Sequence, residues 1–150
     1  MTSNCLYCKN KDCFVLNYFS VDEIDLICNN KAMIFCIKGN RLFNEGEKTD
    51  NVYLLYDGCL EVTKKDHKGG DRRIYFAEPG ELLGYCSAIC GDEHSSTVAV
   101  YKNSLVCAID KSGFLNTFLQ NVNSTMSFMK FLSDQIGMRE KKIEDLESLF

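Results

Sequence analysis

The chain has no long apolar run, no basic excess and only two histidines, and each shortage removes a class of function. A membrane-spanning helix needs roughly twenty apolar residues in succession, and none is present, so no membrane span is expected. The N-terminus opens with polar residues and cysteines instead of a basic then apolar signal region, which predicts a soluble, unexported, cytoplasmic chain. Seventeen Lys and Arg against 21 Asp and Glu give a net charge of −4. Phosphate backbones are gripped mainly by cations, so this chain by itself is not expected to hold DNA. His67 and His94 are too few for a metalloenzyme that clusters His and carboxylate ligands on adjacent strands, and no enzyme activity is expected. A haem would need one axial ligand, for which His94 or a cysteine would serve. Both histidines otherwise read as solvated loop residues.

What the chain does have is cysteine, nine in 150 residues. With no export signal these thiols are expected to stay reduced, and the odd count points to metal binding or redox chemistry more than to a disulfide framework. Cys5, Cys8 and Cys13 fall within nine residues. Thiolates at such short spacing converge on one soft metal centre, Zn²⁺ or an iron–sulfur cluster, and three of them ask for a fourth ligand from elsewhere. Cys28 and Cys36 sit in apolar patterns and read as core thiols, and Cys59 opens a strand as packing. Cys86 and Cys90 lie i, i+4 on a short helical turn, as rival fourth ligands or a resolving thiol.

From Gly39 to Asp110 short hydrophobic, β-branched segments alternate with glycine turns, the signature of an all-β barrel, sandwich or roll. Strands are expected at Met33–Ile37, Arg41–Asn44, Val52–Tyr56, Cys59–Lys64, Arg72–Ala77, Ser96–Tyr101 and Ser104–Ile109. Turns are expected at Gly39, Gly46, Asp57-Gly58, Gly69-Gly70 and Pro79-Gly80. Along Ser104–Ile109, alternation puts Leu105, Cys107 and Ile109 on one apolar face, where a core cysteine would also lie.

Helices flank this region. Phe14–Asn30 reads as helical, with Ser20 and Glu23 as a capping box and Val21, Ile24, Ile27 and Cys28 on one face. Ser112 is the expected cap of a short helix over Phe114–Gln120, and a long helix runs from about Ser124 to the end. Its apolar positions Met129, Leu132, Ile136, Ile143, Leu146 and Phe150 alternate at intervals of four and three, with Arg139 in the missing place. That is an a/d seam suited to pairing with a second copy, weakened by Arg139 and by Gly137.

Phe43-Asn-Glu-Gly46-Glu, then Val52-Tyr-Leu-Leu-Tyr-Asp-Gly58-Cys-Leu-Glu-Val62, then Pro79-Gly80-Glu-Leu-Leu-Gly84, resembles the cyclic-nucleotide-binding β-roll of the Crp/Fnr transcription regulators. The resemblance runs from about Met33 to the C-terminus. It implies a mainly β fold with flanking helices, a double-stranded β-roll (jelly roll) plus a long C-terminal dimerisation helix. Residues 1–150 then form one sensor domain: a cysteine segment and helix over 1–30, the roll over 31–110 and helices over 111–150. The family's helix-turn-helix DNA-binding domain would follow the last helix and is absent from this chain.

The resemblance also speaks to ligands. Members that bind cyclic nucleotide carry a Glu for the ribose just after the position of Gly84 and an Arg-Ser pair for the phosphate. Here those positions are Tyr85 and Ser95-Ser96, so no cyclic nucleotide is expected. Fnr-type oxygen sensors hold a [4Fe–4S] cluster with three N-terminal cysteines and one on a late strand, and Cys5, Cys8, Cys13 and Cys107 match that set. The gap from Cys8 to Cys13 holds four residues where the best-known members have five. The implied function is the sensory half of a homodimeric regulator that reads oxygen or redox state. Alternatives are a zinc-bound dimerisation module and a sensor of a small organic effector in the vacant nucleotide pocket.

Overall fold

Two long antiparallel strands carry the molecule, β3 (Asn51–Lys65) and β6 (Thr97–Asp110), paired along almost their whole length from Asn51 opposite Asp110 to Thr63 opposite Thr97. The structure, a computed structural model, describes residues 17–29, 31–91 and 93–149, without the side chains of Leu26 and Cys28. β1 (Lys31–Cys36) and β4 (Asp71–Ala77) complete the order β1-β6-β3-β4, while β2 (Arg41–Phe43) pairs with β6 and β5 (Leu82–Leu83) with β3. This is the antiparallel jelly-roll that the family resemblance implies, within the all-β class expected from the glycine spacing, with flanking helices and the long C-terminal helix present.

Successive strand residues point to opposite faces, and here both faces are buried. Val52 and Leu54 of β3, with Ile109 and Cys107 of β6, belong to a core shared with the helices. Leu55, Leu60 and Val62, with Val106, Val100 and Val98, fill a second core inside the roll.

The predicted break of β3 at Asp57-Gly58 is a bulge, not a turn, and register shifts run from Leu55 to Leu60. Gly58 has φ 110, and a Cβ there would lie 2.7 Å from Ser104 Cα. Ser104 comes this close because its Oγ accepts a hydrogen bond from the Cys59 amide (3.1 Å) and donates to the Lys102 carbonyl (2.7 Å). A bulge bends and twists a strand without ending it. Likewise Ser96–Tyr101 and Ser104–Ile109 form one strand, since β3 pairs across both. The two-residue β5 carries too little pattern to be predicted.

α1 (Val21–Asn29) starts on the predicted capping box: the Glu23 amide donates to Ser20 Oγ (3.4 Å) and the Ser20 amide to Glu23 Oε1 (3.2 Å). Ile24 and Ile27 are buried, but Val21 is 58% exposed, against expectation. At 3.6 residues per turn Val21 points about 120° away from Ile27, outside the narrow buried face. Between Gly84 and Gly91 sits α2 (Tyr85–Cys90).

α3 (Lys111–Leu119) follows β6 directly, and its cap is Asp110, not Ser112: the carboxylate accepts from the Gly113 amide at 3.0 Å. α4 (Val122–Glu147) is capped by Asn121, which accepts from the Ser124 amide at 2.8 Å, so it begins before Ser124. Phe114, Phe118, Phe128 and Phe131 interleave where α3 and α4 cross the roll, with ring centroids 4.4–5.8 Å apart.

Candidate functional site

The face of the roll beside α4 is closed by α2. Gly84 adopts φ 82 at its start, an angle that suits glycine, while a Cβ there would reach His94 Cε1 only at an ordinary contact distance of 3.4 Å. The next residue, Tyr85, turns inward and is buried, its ring edge-on to Phe131 of α4 at 5.4 Å. Its hydroxyl lies 3.4 Å from Arg139 Nη2, which donates to it. Lys142, one turn further along α4, stands 5.7 Å from the ring centroid of Tyr75 on β4.

Burial is the main cause that pushes the Tyr75 hydroxyl up to about 12, with the nearby Glu81 carboxylate adding to it and Arg139 opposing. The same desolvation raises Tyr85 and Glu81, each against the pull of Arg139. The position for a ribose-binding carboxylate is thus filled by a phenol that faces the chain's own guanidinium. Ser95, at the position for a phosphate-binding arginine, is exposed. Neither position carries a carboxylate or a guanidinium.

Cys107 lies on the helix-facing side of β6, opposite Leu54 and 4% exposed, in one core with Ile24 and Ile27 of α1 and Phe128 and Phe131 of α4. Its Sγ is 3.1 Å from Met33 Sδ. Cys5, Cys8 and Cys13 lie outside the described residues. The donor set suits an iron–sulfur cluster or zinc, both thiolate-bound centres, and the apolar setting of Cys107 suits a cluster shielded from solvent. Among the described residues no three His, Cys, Asp or Glu side chains converge on one point. Cys36 is buried as expected, with its thiol raised by desolvation; Cys59 is half-buried and raised by the same cause. Cys86 and Cys90 are exposed.

Along α4 the burial stops at Leu132, which is half-buried against the helix-side core. Met129, Ile136, Ile143 and Leu146 are 53–60% exposed, and Phe150 lies outside the described residues. The predicted seam therefore lies open in the single chain. Arg139 corrects the reading of it: the guanidinium turns toward the roll and Tyr85. Sequence spacing missed this because 139 sits at the border between the roll-facing and outward stripes.

His94 corrects another expectation. It is 4% exposed and stacked on Phe43, with centroids 3.7 Å apart and Nδ1 unpaired among the described residues. It borders an open cleft of about 820 Å³ lined also by Glu45, Asp50, Glu93, Lys48 and Lys111. Burial lowers its pKa, against the opposing charges of Glu47 and Asp50. His67, in contrast, is exposed in the β3–β4 hairpin.

Residues 35–121 match the cyclic nucleotide-binding domain, more than half of the chain. The chain belongs to that family. Among similar curated proteins is the anaerobic regulatory protein of Bacillus subtilis, 26% identical over 110 residues, which cover 73% of this chain and 46% of that protein. A cAMP-dependent protein kinase regulatory subunit of Debaryomyces hansenii is 27% identical over 104 residues, 69% of this chain and 22% of that protein. This member of the family thus spans less than half the length of the curated relatives it matches. Its fold is similar to the sensor domain of the transcriptional regulator DNR from Pseudomonas aeruginosa, with TM-score 0.72 and 14% identity over 87% of this chain and 88% of that one. The Thermus thermophilus catabolite activator protein gives TM-score 0.72 and 18% identity, covering 87% and 62%. Among the described residues of the domain no helix is long and apolar enough to cross a membrane.

Proposed function

We propose that the chain is the sensory and dimerising half of a Crp/Fnr-type transcription regulator that reads oxygen or redox state through a [4Fe–4S] cluster on Cys5, Cys8, Cys13 and Cys107. The observation that carries this reading is the place of Cys107. It shares one core with α1, which follows the N-terminal cysteines, and with the first turns of α4, which carry the seam. A change at Cys107 therefore reaches both elements through packed side chains. The anaerobic regulatory protein among the relatives and the nucleotide positions taken by Tyr85 and Ser95 support it further.

The cluster, when bound, supplies oxygen-sensitive electron-transfer chemistry. The chain's own residues do the rest. Cys107 would hold the cluster as its thiolate, giving up its proton. Ile24, Ile27, Phe128 and Phe131 keep water away from that sulfur and link its position to α1 and α4. The exposed Met129, Ile136, Ile143 and Leu146 pair with the same residues of a second copy, making a homodimer.

Iron and acid-labile sulfide analysis of strictly anaerobic protein tests the reading. About four iron atoms per chain are expected for a four-thiolate cluster. Zinc without iron would replace the cluster by a structural metal, and protein without metal would turn attention to an organic effector.

A further inference from the structure

Cys86 and Cys90 are used by none of the chemistry above. They stand four residues apart on α2, free and exposed, while Tyr85, Ser87 and Ala88 of the same helix face the core. Residues one helical turn apart project from one face with Cβ atoms about 5–6 Å apart. A direct disulfide needs Cβ atoms about 3.5–4.5 Å apart, so α2 would have to distort to close one. A single soft cation between the sulfurs asks less. Two metal–sulfur bonds of about 2.3 Å span up to roughly 4.6 Å, which the helical spacing meets by choice of side-chain rotamer.

The surroundings narrow the class of ion. Among the described residues no third His, Cys, Asp or Glu joins the pair. Zinc would look for four ligands and hard cations for oxygen, whereas two thiolates alone satisfy a soft, low-coordinate ion of the Cu(I) class. Of the other described thiols, Cys36 and Cys107 are buried and Cys59 is half-buried in β3. We propose that Cys86 and Cys90 bind one soft monovalent cation of this class as a bis-thiolate, each thiol releasing its proton. The site lies one residue from Tyr85, which packs on Phe131 and accepts from Arg139 of α4, so an occupied pair stiffens α2 at its contact with the long helix. This inference does not depend on the cluster.

Because the N-terminal cysteines would also take copper, the test uses the full chain carrying Cys5→Ser, Cys8→Ser and Cys13→Ser. It is titrated anaerobically with Cu(I) against the chromophoric chelator bicinchoninate. The expected result is one Cu(I) per chain held back from the chelator, with a near-ultraviolet thiolate-to-copper band, and loss of both on adding either Cys86→Ser or Cys90→Ser. Serine at 86 keeps a polar atom for the contact with the Tyr85 hydroxyl, and metal-free thermal unfolding equal to that of the triple variant is expected and shows that the added variants remain folded. Retention of the ion in either added variant overturns the proposal. So does failure of the triple variant to hold copper, or loss of two hydrogens from the peptide carrying both thiols, which marks a disulfide. Iron content is read separately on the unaltered chain, so the two proposals fail independently.

Discussion

The Arg139 guanidinium donates to the Tyr85 hydroxyl across 3.4 Å, tying the middle of α4 to the roll where the sequence spacing would put a seam residue. Two further contacts run the same way: the Tyr18 hydroxyl donates to the Asp134 carboxylate at 2.7 Å, and Lys142 faces the Tyr75 ring. α4 is thus held by polar contacts from Asp134 to Lys142, after its apolar burial ends. Arg139→Leu removes one tether and completes the apolar seam. Stronger self-association is expected, persisting whether or not metal is bound, and sedimentation with and without metal reads it. Tyr85→Phe keeps the packing on Phe131 and loses the long hydrogen bond from Arg139 and the contact of the hydroxyl with the Cys86 thiol, so a stability loss of about 0.5–1.5 kcal/mol is expected. A leucine variant as metal-dependent as the parent would show that the seam is not the switch.

Cyclic nucleotides are expected not to bind appreciably. With Tyr85 and Ser95 in the two recognition positions, a bound cyclic phosphate would lose its hydration without gaining charge-assisted hydrogen bonds. Calorimetric titration with cAMP should give no heat of binding beyond dilution, and micromolar affinity would overturn the expectation.

Cys107→Ala separates ligand from core. The side chain is buried, and trimming it to alanine is expected to cost about 1–2 kcal/mol, leaving the domain folded. Iron retention in anaerobic protein should nevertheless collapse. A variant that keeps the parent's iron content would remove Cys107 from the ligand set.

Gly58→Ala tests the β3 bulge. The added Cβ would lie 2.7 Å from the Cα and Cβ of Ser104, at a backbone angle that alanine resists. A loss of about 2–4 kcal/mol is expected from strain and overpacking together, measured by urea unfolding. Gly39, with open space around it, would show only the backbone part of that cost.

His94 gives the domain a pH dependence. Its folded pKa is lowered, chiefly by burial, so the unfolded chain binds the proton more readily than the folded one. The stability this neutral imidazole supports is fully present above the unfolded value of about 6.5 and falls as pH drops below it, until the folded group protonates too. Over that interval the slope should approach, and not exceed, about 1.4 kcal/mol per pH unit for one proton. His94→Phe keeps a ring against Phe43 and cannot titrate. Thermal melts from about pH 7 to pH 5.5, above most carboxylate titrations, should show the fall in the parent and a flatter profile in the variant.

The sequence by itself determined most of the elements and the family. Alternation in β3 and β6, the capping box at Ser20 and the glycine intervals are local signals, because turn angles and strand faces are set by neighbours within a few residues. The spacing of Cys5, Cys8 and Cys13 is likewise a local fact that proposes a soft metal before any fold is known. The tertiary structure decided what depends on residues far apart in the chain. Gly58 became a bulge because Ser104, 46 positions later, presses on it. His94 became a core residue because Phe43 stacks on its ring, and Arg139 left the seam because Tyr85 offers it a hydroxyl. Each is a contact between distant segments, whose energy enters only once β3, β6 and α4 have been brought together, and periodicity along the chain carries no trace of it.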